Sequence, residues 1–343
     1  MAQVITHMDV REVEGTELRV FSDVEGDVLD VIQAEEAVVR RYSARGLWRH
    51  TSVDLFVLQD LQVLAGHLAG AGDLPPGGSG ALDRRPVVNA FDLADLSSCH
   101  VFMNHKVMIE EGYWGDPVAL RALLAHEHAH PLSENATVAS SRDLRVHSAH
   151  AVTDGGLPSL EHLAAATAEK ICCYGPREVF ANDLAIGAGS ADDLFHLDQL
   201  VVETAARGVF GRSALVDHLE ADVSEGRLPR QHARQALLLA DLRSSLDLAM
   251  ETAPFYRAGR LDQATALEAP LFERVFPRLE SAVEGTYRVI RDLYVDLRPD
   301  LGVVDLASWS ERVVDVLTGV LRERGLEVGM SLNHSEKGEG TDA

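Results

Sequence analysis

Cysteine is scarce in this sequence, and the three that occur are poorly placed for disulfide bonds. Cys172 and Cys173 are adjacent and Cys99 stands alone, so the 343 residues contain neither a CxxC unit nor a disulfide framework. The first residues lack a basic segment followed by an apolar one, and no apolar run reaches ~18 residues. We therefore expect a soluble protein of a reducing compartment, the cytoplasm, without a signal peptide or a membrane-spanning helix.

Positive charge is also in short supply. The chain has 31 Lys and Arg residues against 54 Asp and Glu residues, which gives a formal net charge of −23. Such a surface repels phosphate backbones and anionic lipid headgroups, so we expect neither a nucleic-acid nor a membrane partner. The hydrophobic content of 46% and charged content of 25% are those of an ordinary globular protein, large enough to form a core without disulfides.

The residue patterns predict an α+β fold that is mostly α-helical, with a small β-sheet. Strands are expected at 18–21, 87–91 and 100–104, and early helices at 27–45 and 53–68. The segment 71–86 is rich in Gly, Pro and Ser, which is typical of a flexible loop or linker. Residues 132–157 are polar and read as irregular structure. Further helices are expected at 158–173, 177–187, 191–206, 229–250, 270–297 and 307–325, and the polar end of the chain reads as disordered.

One helix has well-marked ends. Asp116 is a favourable N-cap and Pro117 suits the first helical position, while the run VALRALLAHEHAH is rich in helix-forming Ala and Leu. Pro131 is expected to end this helix, because proline has no N–H to donate and clashes with the preceding turn. In the same way, Gly175 and Pro176 are expected to separate two later helices.

The predicted helix carries the motif H-E-x-x-H at its C-terminal end. His126 and His130 are four residues apart and therefore share one helix face, where both imidazoles can bind one zinc ion. Glu127 lies ~100° round the helix and can contact a metal-bound water. Zinc lowers the pKa of such a water toward ~7, so that a neighbouring carboxylate can accept its proton. This arrangement produces a hydroxide able to attack a carbonyl.

The same residues permit a second interpretation. His126, His128 and His130 also form H-x-H-x-H, which on a β-strand would place three imidazoles on one face. On a helix His128 points ~200° away from His126 and cannot join the site. The helix-forming composition favours the first interpretation, with His128 packed or partly exposed.

A catalytic zinc ion usually has three protein ligands, so a third must come from farther along the chain. The candidates are His147, His150, Glu161, Glu169 and Glu178. We favour Glu178, which begins a predicted helix and is followed one turn later by Asn182 and Asp183. Those two side chains can accept a hydrogen bond from a zinc-bound imidazole. His147, His150 and Tyr174 are candidates to stabilise an oxyanion, and Cys172 and Cys173 are expected in the core.

With these motifs, residues 85–190 resemble the gluzincin metallopeptidases, in particular the prenyl-protease-like and minimal members. The resemblance rests on LLAHEHAH, on the helical segment EVFAND that starts at Glu178, and on VVNAFDL before the active helix. It implies a zincin-like core, zinc bound by His126, His130 and Glu178, and an extended peptide paired with an edge strand that includes Asn89, Ala90 and Phe91. The sequence departs from the family pattern in having Pro131 directly after the second histidine and Asn182 where the family has an acidic residue.

The resulting hypothesis is a zinc-dependent metallopeptidase acting on a peptide or protein substrate. The alternative is a catalytically silent zincin-like module that regulates or binds another protein. The expected organisation is an α/β segment at 1–70, a linker at 71–86, the metallopeptidase core at 87–190, a helical bundle at 191–330 and a tail at 331–343. The helices of the bundle offer faces for packing into a homo-oligomer.

Overall fold

The computed structural model describes residues 7–24, 28–65, 84–149 and 159–334. These residues form an α+β fold that is mostly helical, as the sequence predicts. It contains one five-stranded and one two-stranded sheet. The chain divides into two compact units, Met1–Ser133 with Leu184–Leu197, and Glu134–Asp183 with Asp198–Ala343. No helix within the described ranges combines the length and apolarity needed to cross a membrane.

The larger sheet belongs to the first unit and has the strand order β1-β2-β3-β5-β4. Strands β2, β3 and β5 run parallel at its centre, while β1 and β4 are antiparallel edge strands. Strand β4, and with it the predicted strand at 87–91, therefore has one side without a partner strand in the described sheet. The strands are β1 His7–Val13, β2 Thr16–Ser22, β3 Ser52–Leu58, β4 Val87–Phe91 and β5 Ser98–Asn104.

Three helices of this unit are α1 Leu29–Ala44, α2 His105–Glu110 and α3 Pro117–Leu132. Helix α3 packs against α1 and against the edge strand β4. On β5 the side chains of Cys99, Val101 and Met103 share one buried face. The opposite face carries a stack of phenylalanines from three strands, Phe21, Phe56 and Phe102, with ring centroids 5.0 and 4.9 Å apart.

The second unit is almost wholly helical. Its core is formed by apolar residues from its helices, with Phe255, Tyr287 and Tyr294 among the largest fully buried side chains. A small antiparallel sheet pairs β6 with β7. The remaining elements of the chain are α4 Ala136–Asp143, β6 Leu144–Ser148, α5 Leu160–Glu169, α6 Gly175–Ala185, α7 Ala191–Gly208, α8 Arg212–Ser224, α9 Arg230–Leu246, α10 Leu248–Arg257, α11 Leu261–Pro270, α12 Ala282–Val295, α13 Val303–Glu323 and β7 Met330–His334.

Several sequence predictions are confirmed and others are wrong. Strand 18–21 lies within β2, helix 27–45 corresponds to α1, and 100–104 lies within β5. The helix predicted at 53–68 is wrong over its first part, which is the central strand β3, whereas residues 62–65 are helical and 66–68 lie outside the described residues. The irregular segment predicted at 132–157 contains α4 and β6. Most of the predicted linker at 71–86 lies outside the described residues, as does the chain end after 334.

The predicted break at Gly175 and Pro176 is also wrong, because a π-helical turn at Lys170–Tyr174 leads directly into α6. Proline cannot donate to the preceding turn, and the Tyr294 hydroxyl donates instead to the carbonyl of Ile171 at 2.9 Å. Gly175 makes room for that side chain, since a Cβ at this position would lie 2.7 Å from Cζ of Tyr294. The glycine and proline thus continue the helix at the place where the sequence predicts its end.

Candidate metal centre

Helix α3 begins at the cap that the sequence predicts. Asp116 Oδ1 accepts hydrogen bonds from the backbone N–H groups of Val118 and Ala119, at 2.9 and 3.1 Å. The other carboxylate oxygen lies 2.7 Å from Nε2 of His196. Burial would raise the pKa of Asp116, but His196 and the two N–H groups outweigh it and lower the pKa. The helix start is therefore fixed by a charged cap.

The two histidines of the motif lie side by side one turn apart on α3. Their ring centroids are 4.6 Å apart with the rings nearly perpendicular. His130 is buried, whereas His126 and Glu127 are half-buried. Because the segment is helical through Leu132, the strand interpretation of H-x-H-x-H is wrong. His126 and His130 thus present two imidazoles to the same region.

Pro131 lies inside the helix and does not end it at once. Since proline has no N–H, the carbonyl of Glu127, four residues earlier, receives no helical hydrogen bond from it. The side-chain amide of Asn89 donates to that carbonyl at 2.5 Å. The helix continues to Leu132, and the backbone N–H of Ser133 donates to Ala129. A residue of the edge strand thereby satisfies the group that the proline leaves unpaired.

Within the described sheet, strand β4 is hydrogen-bonded to β5 along one edge and has no partner strand along the other. The N–H of Asn104 donates to the carbonyl of Pro86, and Val88 is paired with Phe102 in the same register. In an antiparallel ladder the backbone groups of alternate residues point to opposite sides. Asn89 and its neighbours two residues away, Val87 and Phe91, therefore turn their N–H and C=O groups toward the open edge.

The predicted third ligand belongs to the second unit. Glu178 lies in the first turn of α6 and is half-buried. Asn182 Nδ2 donates to Glu251 Oε2 at 3.3 Å. Asp183 accepts a hydrogen bond from Arg257 Nε at 2.6 Å; burial raises the pKa of Asp183, although Arg257 opposes the rise. Asp183 thus has an ion-pair partner of its own, and a role for Asn182 beside a zinc-bound imidazole stays a prediction.

The other residues considered from the sequence have separate positions. His147 is exposed on β6, where it pairs with Ser331, and Tyr174 is also exposed. His150 lies outside the described residues. Cys172 is fully buried in the core of the second unit, as expected, and Cys173 is half-buried. No oxyanion-stabilising role follows for His147 or Tyr174 from these positions alone.

Two of the alternative glutamate ligands have structural partners. Glu161 Oε1 accepts from the backbone N–H groups of Gly329 and Ala149, at 2.8 and 3.2 Å. Glu169 lies 4.0 Å from Arg145 Nε. These contacts hold β6, α5 and the segment before β7 together, and they account for both carboxylates without a metal.

His128 is fully buried on the far side of α3, where Nε2 lies 2.7 Å from Oε1 of Glu35. Burial alone would lower the pKa of His128, but Glu35 and Cys99 outweigh it and raise the pKa to about 10. Burial, reinforced by nearby His128, lowers the pKa of His50 to about 4. Sequence reasoning missed this grouping of His50, Cys99 and His128, since no motif joins residues so widely spaced.

Comparison with known proteins does not identify a family for this chain. The sequence matches no protein-family model, and neither a curated protein nor a solved structure shows significant similarity to it.

Proposed function

We propose that the protein is a zinc-dependent metallopeptidase in which His126, His130 and Glu178 hold the metal. His126 and His130 lie one turn apart on α3, and Glu178 in the first turn of α6 is the third ligand that the sequence resemblance implies. Two imidazoles and one carboxylate are a donor set that catalytic zinc uses in hydrolases. The pairing of His126 and His130 on consecutive turns of α3 supports this set, because it needs no rearrangement of the helix.

Zinc bound there would supply a Lewis acid and lower the pKa of a coordinated water. Glu127 is the base of the proposed reaction. Glu127 follows His126 directly on α3 and is half-buried. Its backbone carbonyl accepts a hydrogen bond from the side-chain amide of Asn89. Glu127 accepts the proton of the attacking water and passes it to the nitrogen of the leaving amine.

The open edge of β4 is the reason for proposing a peptide as the substrate. Val87, Asn89 and Phe91 turn their backbone N–H and C=O groups toward this edge, where the described residues include no partner strand, and an extended peptide binds such an edge by adding a strand. The side chain of Asn89 ties this strand to the active helix at Glu127 itself. A peptide paired with β4 would therefore have a fixed position relative to Glu127, the proposed base.

The test is cleavage of a library of extended peptides by the zinc-loaded wild type, by Glu127→Gln and by Glu110→Gln. Glu110 is exposed at the end of α2, so its variant has the same change of charge away from the site. We expect Glu127→Gln to keep its zinc and fold but to lose activity by about 10²- to 10⁴-fold. Glu110→Gln should cleave like the wild type.

Equal rates for the wild type and Glu127→Gln would contradict the proposed mechanism. Retention of zinc without cleavage of any peptide by the wild type would favour the alternative, a module that binds zinc and regulates or binds a protein.

A further inference from the structure

A second group of metal-binding side chains lies behind α3, wholly inside the first unit. His50 precedes β3, Cys99 is on β5 and His128 is on α3. The three are 2%, 1% and 0% exposed, and each offers one ligand atom within 4.8 Å of the other two. Three different parts of the unit therefore bring two imidazoles and a thiol together in its core.

Each imidazole has one nitrogen engaged and one that is not. His50 Nδ1 lies 2.6 Å from the carbonyl of Leu96 and donates to it, and His128 Nε2 lies 2.7 Å from Glu35. The other nitrogens, Nε2 of His50 and Nδ1 of His128, are buried and have no hydrogen-bond partner. Buried polar atoms are nearly always paired, because an unpaired one costs about 1–3 kcal/mol.

We propose that His50 Nε2, Cys99 Sγ and His128 Nδ1 bind a zinc ion. Imidazole nitrogen and thiolate sulfur are its preferred ligands, and the thiol proton is released to solvent on binding. A metal-bound histidine almost always donates its other N–H to a carboxylate or a backbone carbonyl. Glu35 and Leu96 supply those two acceptors, which leaves the unpaired nitrogens in the tautomers that a metal requires.

The charges of the group also fit a cation. Glu35 is fully buried, and its second oxygen has no hydrogen-bond partner. A buried carboxylate needs a compensating charge. Without an ion, a proton on His128 supplies that charge. A divalent ion held by the Cys99 thiolate and two neutral imidazoles would take its place with one net positive charge, which Glu35 balances through His128.

The surroundings hold the ligands in place. The Trp48 ring lies against both imidazoles, with centroids 4.9 Å from His50 and 4.8 Å from His128. Its Nε1 donates to Thr16 Oγ1 at 2.8 Å, and that hydroxyl donates to the carbonyl of His50 at 3.0 Å. The ion would thus join the segment before β3 to β5 and α3, in a buried place suited to a structural metal. It is separate from the proposed active site, because His128 lies ~200° round the helix from His126.

Cobalt is the probe that separates the two sites. A Co²⁺ ion bound by thiolate gives an intense charge-transfer band in the near ultraviolet, whereas one bound by imidazole and carboxylate does not. The full-length protein, stripped of metal and loaded with Co²⁺, should show this band. The band should persist in His126→Ala and disappear in Cys99→Ser, with loss of one bound metal per chain.

Cys172→Ser and Cys173→Ser are the matched controls, and both should keep the band. A wild-type protein without the band, or a folded Cys99→Ser that retains it, would overturn the proposal. If Cys99→Ser does not fold, the two control variants still test the proposal. The chain has three cysteines, so a band that persists in both Cys172→Ser and Cys173→Ser is assigned to the Cys99 thiolate. Loss of the band in either control would place the thiolate elsewhere and refute the site.

Discussion

The side-chain amide of Asn89 donates a hydrogen bond to the backbone carbonyl of Glu127, at 2.5 Å. Pro131 explains the need for it, since a residue with an N–H at that position would bind the same carbonyl within the helix. Strand β4 and helix α3 are therefore joined at the point where the proline interrupts the helical hydrogen bonds. In the proposed peptidase, this bond sets the substrate strand against the catalytic base.

The two residues should be energetically coupled. In the wild-type background Asn89→Ala removes the side-chain hydrogen bond to the Glu127 carbonyl and should reduce the free energy of unfolding by about 1–3 kcal/mol. In a Pro131→Ala background the new N–H at 131 can bind the carbonyl, so Asn89→Ala should cost clearly less. Urea unfolding of the four proteins measures this double-mutant cycle. Equal costs in both backgrounds would show that Asn89 does not compensate for Pro131.

The sequence predicts both helix α3 and strand β4 but not the hydrogen bond between them. Local signals define α3, namely the Asp116 cap, the Ala- and Leu-rich run and the histidine spacing. The bond from Asn89 depends on which strand lies beside the helix, and that is decided by tertiary packing. Pro131 indicates from the sequence that the carbonyl of Glu127 lacks its usual helical donor. It does not indicate which side chain donates to that carbonyl instead.

The errors in the first unit have a common physical origin. The second half of strand β3 is the continuous apolar run Leu55–Leu58, and a short apolar run of this kind cannot be told from a helix by its periodicity alone. The residue patterns also give no sign of strand β1. It forms a hairpin with β2 through Glu14 and Gly15, both with positive φ, and Glu at the first position hides the usual Asn-Gly signal.

Metal content tests the third ligand of the proposed active site. Glu178→Ala should lose zinc from that site, whereas Glu169→Ala should retain it, because Glu169 has Arg145 as its partner. His147→Ala should also keep the metal, since its side chain is exposed on β6. Metal analysis of each purified variant gives the answer, best made in a Cys99→Ser background so that the second site does not contribute. If His147→Ala were the variant that loses metal, the ligand set would be wrong.

Asp193 should make stability depend on pH in the acid range. Burial would raise its pKa, but hydrogen bonds from Arg121 and Arg41 outweigh this and lower the pKa from its ordinary value of 3.8. A carboxyl group whose pKa is lowered by folding stabilises the protein fully above its unfolded pKa. That contribution is lost as the pH falls through the lower folded pKa.

Asp193→Asn should therefore reduce the free energy of unfolding at pH 7, and the difference from the wild type should shrink as the pH drops below about 4. Urea unfolding at several pH values measures it. Asp217→Asn is the matched control, because Asp217 is exposed on α8, and its effect should be small at every pH. A difference at Asp193 that stays constant down to pH 3 would contradict the assigned ion pairs.

Two glycines in helices should respond in opposite ways to the same change. At Gly175 a Cβ would lie 2.7 Å from Cζ of Tyr294, which is fully buried with its hydroxyl bonded to the carbonyl of Ile171. Gly285 in α12 has nothing within 4 Å of the position that a Cβ would take. There is therefore no room for a methyl group at Gly175, whereas there is room for one at Gly285.

Gly285→Ala should stabilise the protein by about 0.5–1 kcal/mol, because alanine has the better helix propensity. At Gly175 the Tyr294 ring cannot withdraw without giving up its bond to Ile171, so Gly175→Ala should cost at least the ~1–3 kcal/mol typical of overpacking. Thermal and urea unfolding of the two variants measure both effects. Tyr294→Phe removes the hydroxyl that crowds this position, and combined with Gly175→Ala it should recover part of the loss. A Gly175→Ala protein as stable as the wild type would mean that the helix does not pass this closely beneath Tyr294.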